Sequence, residues 1–308
     1  MESAESRSGC LQSAGAIWKS PFLVLFLSPN PARPGSSFNP RVARSQSTRN
    51  RRSWATQLIG TIGCLVALSG SILPAVSSLA DPRHFTYVYE ATIEEPGEVE
   101  LENWITWQTR KPADHSFQEV DFRHEIEFGV TNKLQAGVYL ADWSYVHSKQ
   151  NDRVAFSDAA LELIYNICNP EKEPIGLAVY EEIGGGDHRF GSESKLIAQK
   201  NLGPFILAYN ATFEAIWQGK ELAEREAEFQ QSIGGSYELN RHFSIGAECV
   251  HEIAFPEWSR TEHPVISGGP NVSIRAGKWW ATITGLAQFT RSSDEPDFQL
   301  RAIAGYTF

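Results

Sequence analysis

Phe298-Gln299-Leu300-Arg301-Ala302-Ile303-Ala304-Gly305-Tyr306-Thr307-Phe308 changes character residue by residue. Phe298, Leu300, Ala302, Ala304, Tyr306 and Phe308 fall on one side of an extended chain. Gln299, Arg301, Gly305 and Thr307 fall on the other. A period of two is that of a β-strand, whose successive side chains point to opposite faces. This strand therefore has one dry face and one wet face.

Reading back from it, the same alternation recurs along the chain. It predicts strands over residues 98–108, 119–128, 134–145, 156–167, 174–183, 192–200, 205–217, 225–239, 242–254, 264–275, 278–289 and 297–308. In the second of these, Val120, Phe122, Ile126 and Phe128 alternate with Glu119, Asp121, Arg123, Glu125 and Glu127. In the seventh, Phe205, Leu207, Tyr209, Phe213 and Trp217 oppose Asn210, Thr212, Glu214 and Gln218. Helical spacing is confined to the short charged stretch 221–225. Each run is about ten residues, which when tilted rises roughly 25 Å, the height of an apolar bilayer band. Strands of soluble proteins are typically about half that length.

The connections differ on alternate turns. Those at 129–132, 201–203, 240–241 and 276–277 are short, and 168–173 is of medium length. Those at 109–116, 146–155, 184–191, 255–263 and 291–296 read as longer polar loops. Short turns on one rim and long loops on the other are the habit of transmembrane barrels. The sequence thus predicts an all-β fold, a single closed antiparallel transmembrane β-barrel of about twelve strands over residues 97–308. The inside-out alternative is a soluble secreted ligand-binding barrel with its apolar face inward. Twelve strands enclose more space than side chains alone fill, which counts against it.

Residues 1–80 have a different composition. They carry eight Lys and Arg against Glu2 and Glu5, then an uncharged run from Ser53 to Ala80 ending Ser78-Leu79-Ala80. A positive flank, an apolar middle and a small-x-small ending form a signal peptide, with cleavage expected near 80/81. The remaining chain keeps 19 basic and 35 acidic residues. That balance argues against nucleic acid as a partner, which requires positive charge. Residues 81–96 precede the first strand, either as a periplasmic tail or as a partial plug in the lumen.

The strand 298–308 resembles the assembly signal of bacterial outer-membrane β-barrel proteins. In that family the last strand reads polar, x, Gly, x, x, aromatic, x, aromatic; Arg301, Tyr306 and Phe308 match, and Ile303 stands where Gly is expected. The resemblance implies export to the bacterial outer membrane, with outer-membrane lipid and the barrel assembly machinery as partners. It also implies that the short-turn rim is periplasmic and that the overall pattern is similar to porin-like and small transport barrels.

With the apolar faces on lipid, the other faces line a lumen. Glu119, Asp121, Glu125, Glu127, Glu214 and Glu228 are expected to set its field, with Arg123 and Arg301 as counter-charges. An acidic lumen concentrates cations and repels anions. The expected function is passive passage of small solutes or ions, biased toward cations; a closed structural or adhesive barrel acting through its loops is the alternative.

No catalysis, cofactor or metal site is expected. The eight histidines are scattered without metal-ligand spacing, and Gly184-Gly185-Gly186-Asp187-His188 lacks the ending of a phosphate loop. His242-Phe243-Ser244 has the spacing of an outer-membrane phospholipase pair, yet it lies beside a short turn and not at the outer rim. Trp279-Trp280 is expected to join the interfacial aromatic belt.

Overall fold

The computed structural model describes residues 83–149, 152–156 and 158–308. The expected leader and its cleavage point lie outside the described residues. The strands are β1 (Val99–Lys111), β2 (Asp114–Thr131), β3 (Leu134–His147), β4 (Asp152–Phe156), β5 (Asp158–Cys168), β6 (Gly176–Gly186) and β7 (Arg189–Leu202). There follow β8 (Phe205–Gln218), β9 (Glu224–Asn240), β10 (Phe243–Pro256), β11 (Val265–Ala276), β12 (Trp279–Gln288) and β13 (Phe298–Thr307).

Each strand pairs antiparallel with its neighbours. β4 and β5 both follow β3 in a single register, Trp143 opposite Phe156 and Tyr139 opposite Ala160, so they are two pieces of one barrel strand. β13 returns to pair with β1, Leu101 opposite Tyr306, and closes a twelve-stranded ring. Closure leaves no unpaired ladder edge, the condition for β-structure in lipid.

The apolar face looks outward. Leu161, Leu163, Ile183, Leu196, Leu207, Ile233, Ile245, Val272 and Ile283 are all exposed on the outer surface, while Glu100, Glu102, Glu125, Glu162 and Glu248 are buried inside. The inside-out soluble barrel is thereby excluded. Aromatic pairs ring the outside at two heights. Phe205–Tyr237, Trp279–Tyr306 and Tyr306–Phe308 lie by the short turns. Trp107–Phe298, Phe122–Trp143 and Phe190–Trp217 lie toward the other rim. Such girdles suit rings that are apolar in body and polar at one end.

Three sequence expectations are corrected. The spans 109–116 and 184–191 are not loose loops: the ladders continue to two-residue turns at 112–113 and 187–188. Continued cross-strand pairing, Lys111 with Asp114 beyond a bulge at Arg110 and Gly186 with Arg189, outweighs the polar composition. Trp279 does lie outside, but Trp280 is buried in the lumen, because neighbours on a strand cannot share a face. Trp280 also explains the displaced glycine near the end of the chain. A Cβ on Gly305 would lie 2.2 Å from the Trp280 indole nitrogen, so glycine is required at 305 and not at 303. A bulge at Leu140 further resets the phase of β3, placing Tyr139 and Asp142 both inside.

Candidate functional site

The lumen holds a chain segment and a spiral of carboxylates. Residues 83–96 do not trail outside the barrel. From Arg83, whose carbonyl accepts from Ser273 and Thr282 inside the lumen, they pass Glu248 at mid-height and reach the short-turn rim at Gly97, whose amide donates to the Gly129 carbonyl at 2.8 Å. His84, Phe85, Thr86, Val88, Tyr89 and Ala91 are buried. The tail reading fails because a twelve-stranded bore leaves space that this segment fills.

A buried backbone must have its polar groups paired, and this segment forms no ladder of its own. Side chains of the wall take that part. Asn210 accepts the Tyr89 amide at 2.6 Å and donates to the Tyr89 carbonyl at 2.9 Å. Gln199 accepts the Ala91 amide and Gln135 the Glu94 amide, at 2.6 and 2.8 Å. Asn271 donates to the His84 carbonyl at 3.0 Å and Asn166 to that of Ala91.

The tightest grip is at Glu248 on β10. Its Oε1 accepts the Thr86 amide at 2.9 Å, and its Oε2 accepts those of Tyr87 and Val88 at 2.7 and 3.0 Å. Thr284 and Asn271 donate to Oε1 as well, at 2.5 and 3.1 Å. Three successive amides on one buried carboxylate form an anion clasp. Phe85 seats against Gly234, where a Cβ would come within 2.6 Å of its ring. Val88 packs with Ile206 and Ala208.

The carboxylates share one ladder row. Glu100 stands opposite Glu127, Glu127 opposite Gly137, and Gly137 opposite Glu162. Glu162 faces Glu182, which faces Glu193, then Glu214, then Glu228. Seven glutamates and one glycine thus make a continuous row across eight adjacent strands. Barrel strands are tilted, so the row climbs. Glu100 is one residue from the short-turn end of its strand, whereas Glu228 is far up β9.

The sequence-chosen residues fall at two heights. Glu125 and Glu127 sit low, beside the seated segment, while Glu119, Asp121, Glu214 and Glu228 line the upper lumen. Glu127, Glu214 and Glu228 belong to the row. Arg123 bridges Asp142 and Glu182 at 3.1 and 2.6 Å and lies 3.4 Å over the Tyr139 ring. Arg301 lies 3.9 Å over the Tyr87 ring and donates to Thr106 and to the Thr86 carbonyl at 3.0 and 3.3 Å. Its contacts are thus with the luminal segment and the wall. Lys195, which sequence reasoning left out of the site, reaches Glu193 at 2.5 Å. Arg83 reaches Glu102 at 2.8 Å.

Tyr306 and Phe308 are in ring contact on the outer face at the short-turn rim. His242 does not engage Ser244. Its Nε2 accepts from Arg241 at 2.9 Å and its Nδ1 lies 3.0 Å from the Arg275 carbonyl.

A closed antiparallel ring with an apolar belt, aromatic girdles and a charged interior defines a bacterial outer-membrane-type β-barrel of porin-like architecture. By sequence the chain belongs to the Family of unknown function (DUF6662), whose profile matches residues 77–299. No curated protein matches it. Among solved structures it is similar to the COG4313 outer membrane channel from Pseudomonas putida F1. That similarity has 12% identity and a TM-score of 0.55, covering 70% of this chain and 97% of the channel. The beta domain of the Bordetella autotransporter Brka follows at 10% identity and TM-score 0.49, over 70% of this chain and all (100%) of that domain. The KdgM porin matches at 9% identity and TM-score 0.44, over 68% and 99%. At these identities the likeness concerns the fold alone.

Proposed function

We propose that this barrel resides in the bacterial outer membrane and passes small solutes passively, with a bias toward cations. The observation that supports this reading is the climbing row of glutamates from Glu100 to Glu228. Fixed negative charge at successive heights offers a cation a series of favourable positions, while like charge excludes anions. Arg123 and Lys195 offset Glu182 and Glu193, which softens the row and keeps any one position from becoming a trap. Outer-membrane lipid and the barrel assembly machinery are the partners this reading requires.

The seated segment 83–96 favours a second reading, a closed structural barrel that works through its loops. One experiment separates them: single-channel conductance of the refolded chain in a planar bilayer under a salt gradient, repeated after deletion of residues 83–96. Conductance steps whose reversal potential favours cations support the channel, whether present at once or only after deletion. Stable insertion with no conductance in either form overturns it in favour of the closed barrel.

A further inference from the structure

Beneath the seated segment three carboxylates converge. Glu102 on β1 stands directly opposite Glu125 on β2, and Glu127 follows on the same face. One carboxylate oxygen from each lies within 4.8 Å of the others, and all three residues are buried. Like charges opposed across a ladder repel, and buried carboxylates need counter-charge. Arg83 supplies a single positive charge, on Glu102 Oε2. Two of the three negative charges remain.

Glu125 is the decisive residue. It is 0% exposed, and among the described residues neither of its carboxylate oxygens has a hydrogen-bond partner. Glu102 Oε1 is in the same condition. Other buried glutamates of the lumen do receive donors: Glu248 takes five, and Glu100 takes the Trp280 indole and the Thr307 hydroxyl at 2.7 and 2.6 Å. A carboxylate pointed into a group of carboxylates, with nothing donating to it, calls for a cation.

We propose that Glu102, Glu125 and Glu127 bind one divalent cation, with Ca²⁺ the best fit. The ligands are all hard oxygens, which select against the softer transition metals. Ca²⁺ holds oxygens at about 2.3–2.6 Å, so any two of its ligands lie at most roughly 5 Å apart, and these oxygens fall within 4.8 Å of one another. Mg²⁺ demands near-ideal octahedral geometry at about 2.0–2.1 Å, which three carboxylates fixed on two neighbouring strands do not provide. A divalent charge also matches the two negative charges that Arg83 leaves. A second converging group, Glu94, Glu100 and Glu127, shares Glu127 and includes the half-buried Glu94 near the rim. It marks the route by which an ion enters.

The site carries its own reporter. Trp104 Nε1 donates to Glu102 Oε2 at 2.7 Å, so a bound Tb³⁺ would be sensitised by tryptophan excitation. With the full chain refolded in detergent, Tb³⁺ titration should give saturable sensitised emission that Ca²⁺ displaces and Na⁺ does not. Glu125→Gln should weaken binding at least tenfold, and Glu171→Gln, exposed in the turn after β5, should leave it unchanged. Absence of saturable emission, or equal emission from Glu125→Gln, overturns the site. If that variant fails to fold, wild-type melting decides. A rise of several degrees in Ca²⁺ over chelator supports the site, and identical melting refutes it.

Discussion

Replacing Glu248 with Gln should loosen the luminal segment without disturbing the barrel. The wild-type carboxylate accepts five hydrogen bonds, three of them from the Thr86, Tyr87 and Val88 amides. Glutamine keeps one acceptor oxygen and turns the other into an NH₂ group facing donors. With the carbonyl oxygen left toward Thr86, Asn271 and Thr284, the bonds to Tyr87 and Val88 are lost. Hydrogen bonds to a charged group are worth about 1.5–3 kcal/mol each. Two of them sum to roughly 3–6 kcal/mol before local relaxation, and about 3 kcal/mol is a reasonable net figure. That is on the order of a hundredfold shift in the ratio of seated to unseated segment. Hydrogen–deuterium exchange read by mass spectrometry should show it. Peptides covering 84–91 should lose about two orders of magnitude of protection, with those from β5 to β8 unchanged. Glu252→Gln is the control: four residues further along the same face, it accepts from Gln230 at 3.0 Å. If 84–91 exchanges at the wild-type rate in Glu248→Gln, the clasp is not what holds the segment.

Other consequences are open to direct measurement. Leu207→Arg or Phe213→Arg, on the outer face, should abolish assembly, since a charge near the bilayer midplane costs about 2–4 kcal/mol. Thr212→Ala between them should assemble normally, as judged by heat-modifiable migration on a gel; equal tolerance would reverse the face assignment. Gly234→Leu should unseat Phe85, because even a Cβ there comes within 2.6 Å of its ring. It should raise protease sensitivity around 83–91 and leave assembly intact. The pair Glu214→Gln with Glu228→Gln removes two facing carboxylates of the row. It should move the reversal potential toward zero with little change in insertion; an unchanged potential would detach the row from ion selection.

The barrel was legible in the sequence because the side-chain period of a strand is local and exact in phase. The faces of β2 and β8 can be read off a dozen residues each. The acidic row was not legible, because register joins residues far apart along the chain. Nothing between Glu162 and Glu182, or Glu193 and Glu214, announces that they stand opposite. Aromatics inside the lumen were missed for a related reason. Trp104, Trp280, Tyr139 and Tyr180 look like outer-face residues by type, and only their phase tells otherwise. The Leu140 bulge then disturbs even the phase of β3. The luminal segment left the least trace. Its backbone is satisfied by Asn, Gln and Glu side chains scattered over β3 to β11, so it carries no periodicity of its own. The strand ends were misjudged at 109–116 and 184–191, where polar composition hid continued pairing.

The path of that segment has a topological consequence. Both described ends lie in the half of the lumen nearer the short turns: the Arg83 carbonyl accepts the Ser273 and Thr282 hydroxyls, and Gly97 is held beside Gly129. Among the described residues, 83–96 therefore do not span the ring from one rim to the other. Its release would break side-chain contacts and no ladder pair. The barrier to that movement is then the sum of side-chain contacts at Glu248, Asn210, Gln199 and Gln135, each of which can be weakened singly. A ring of twelve strands that must stay closed in lipid can therefore carry a moving part, because the moving part belongs to none of its ladders.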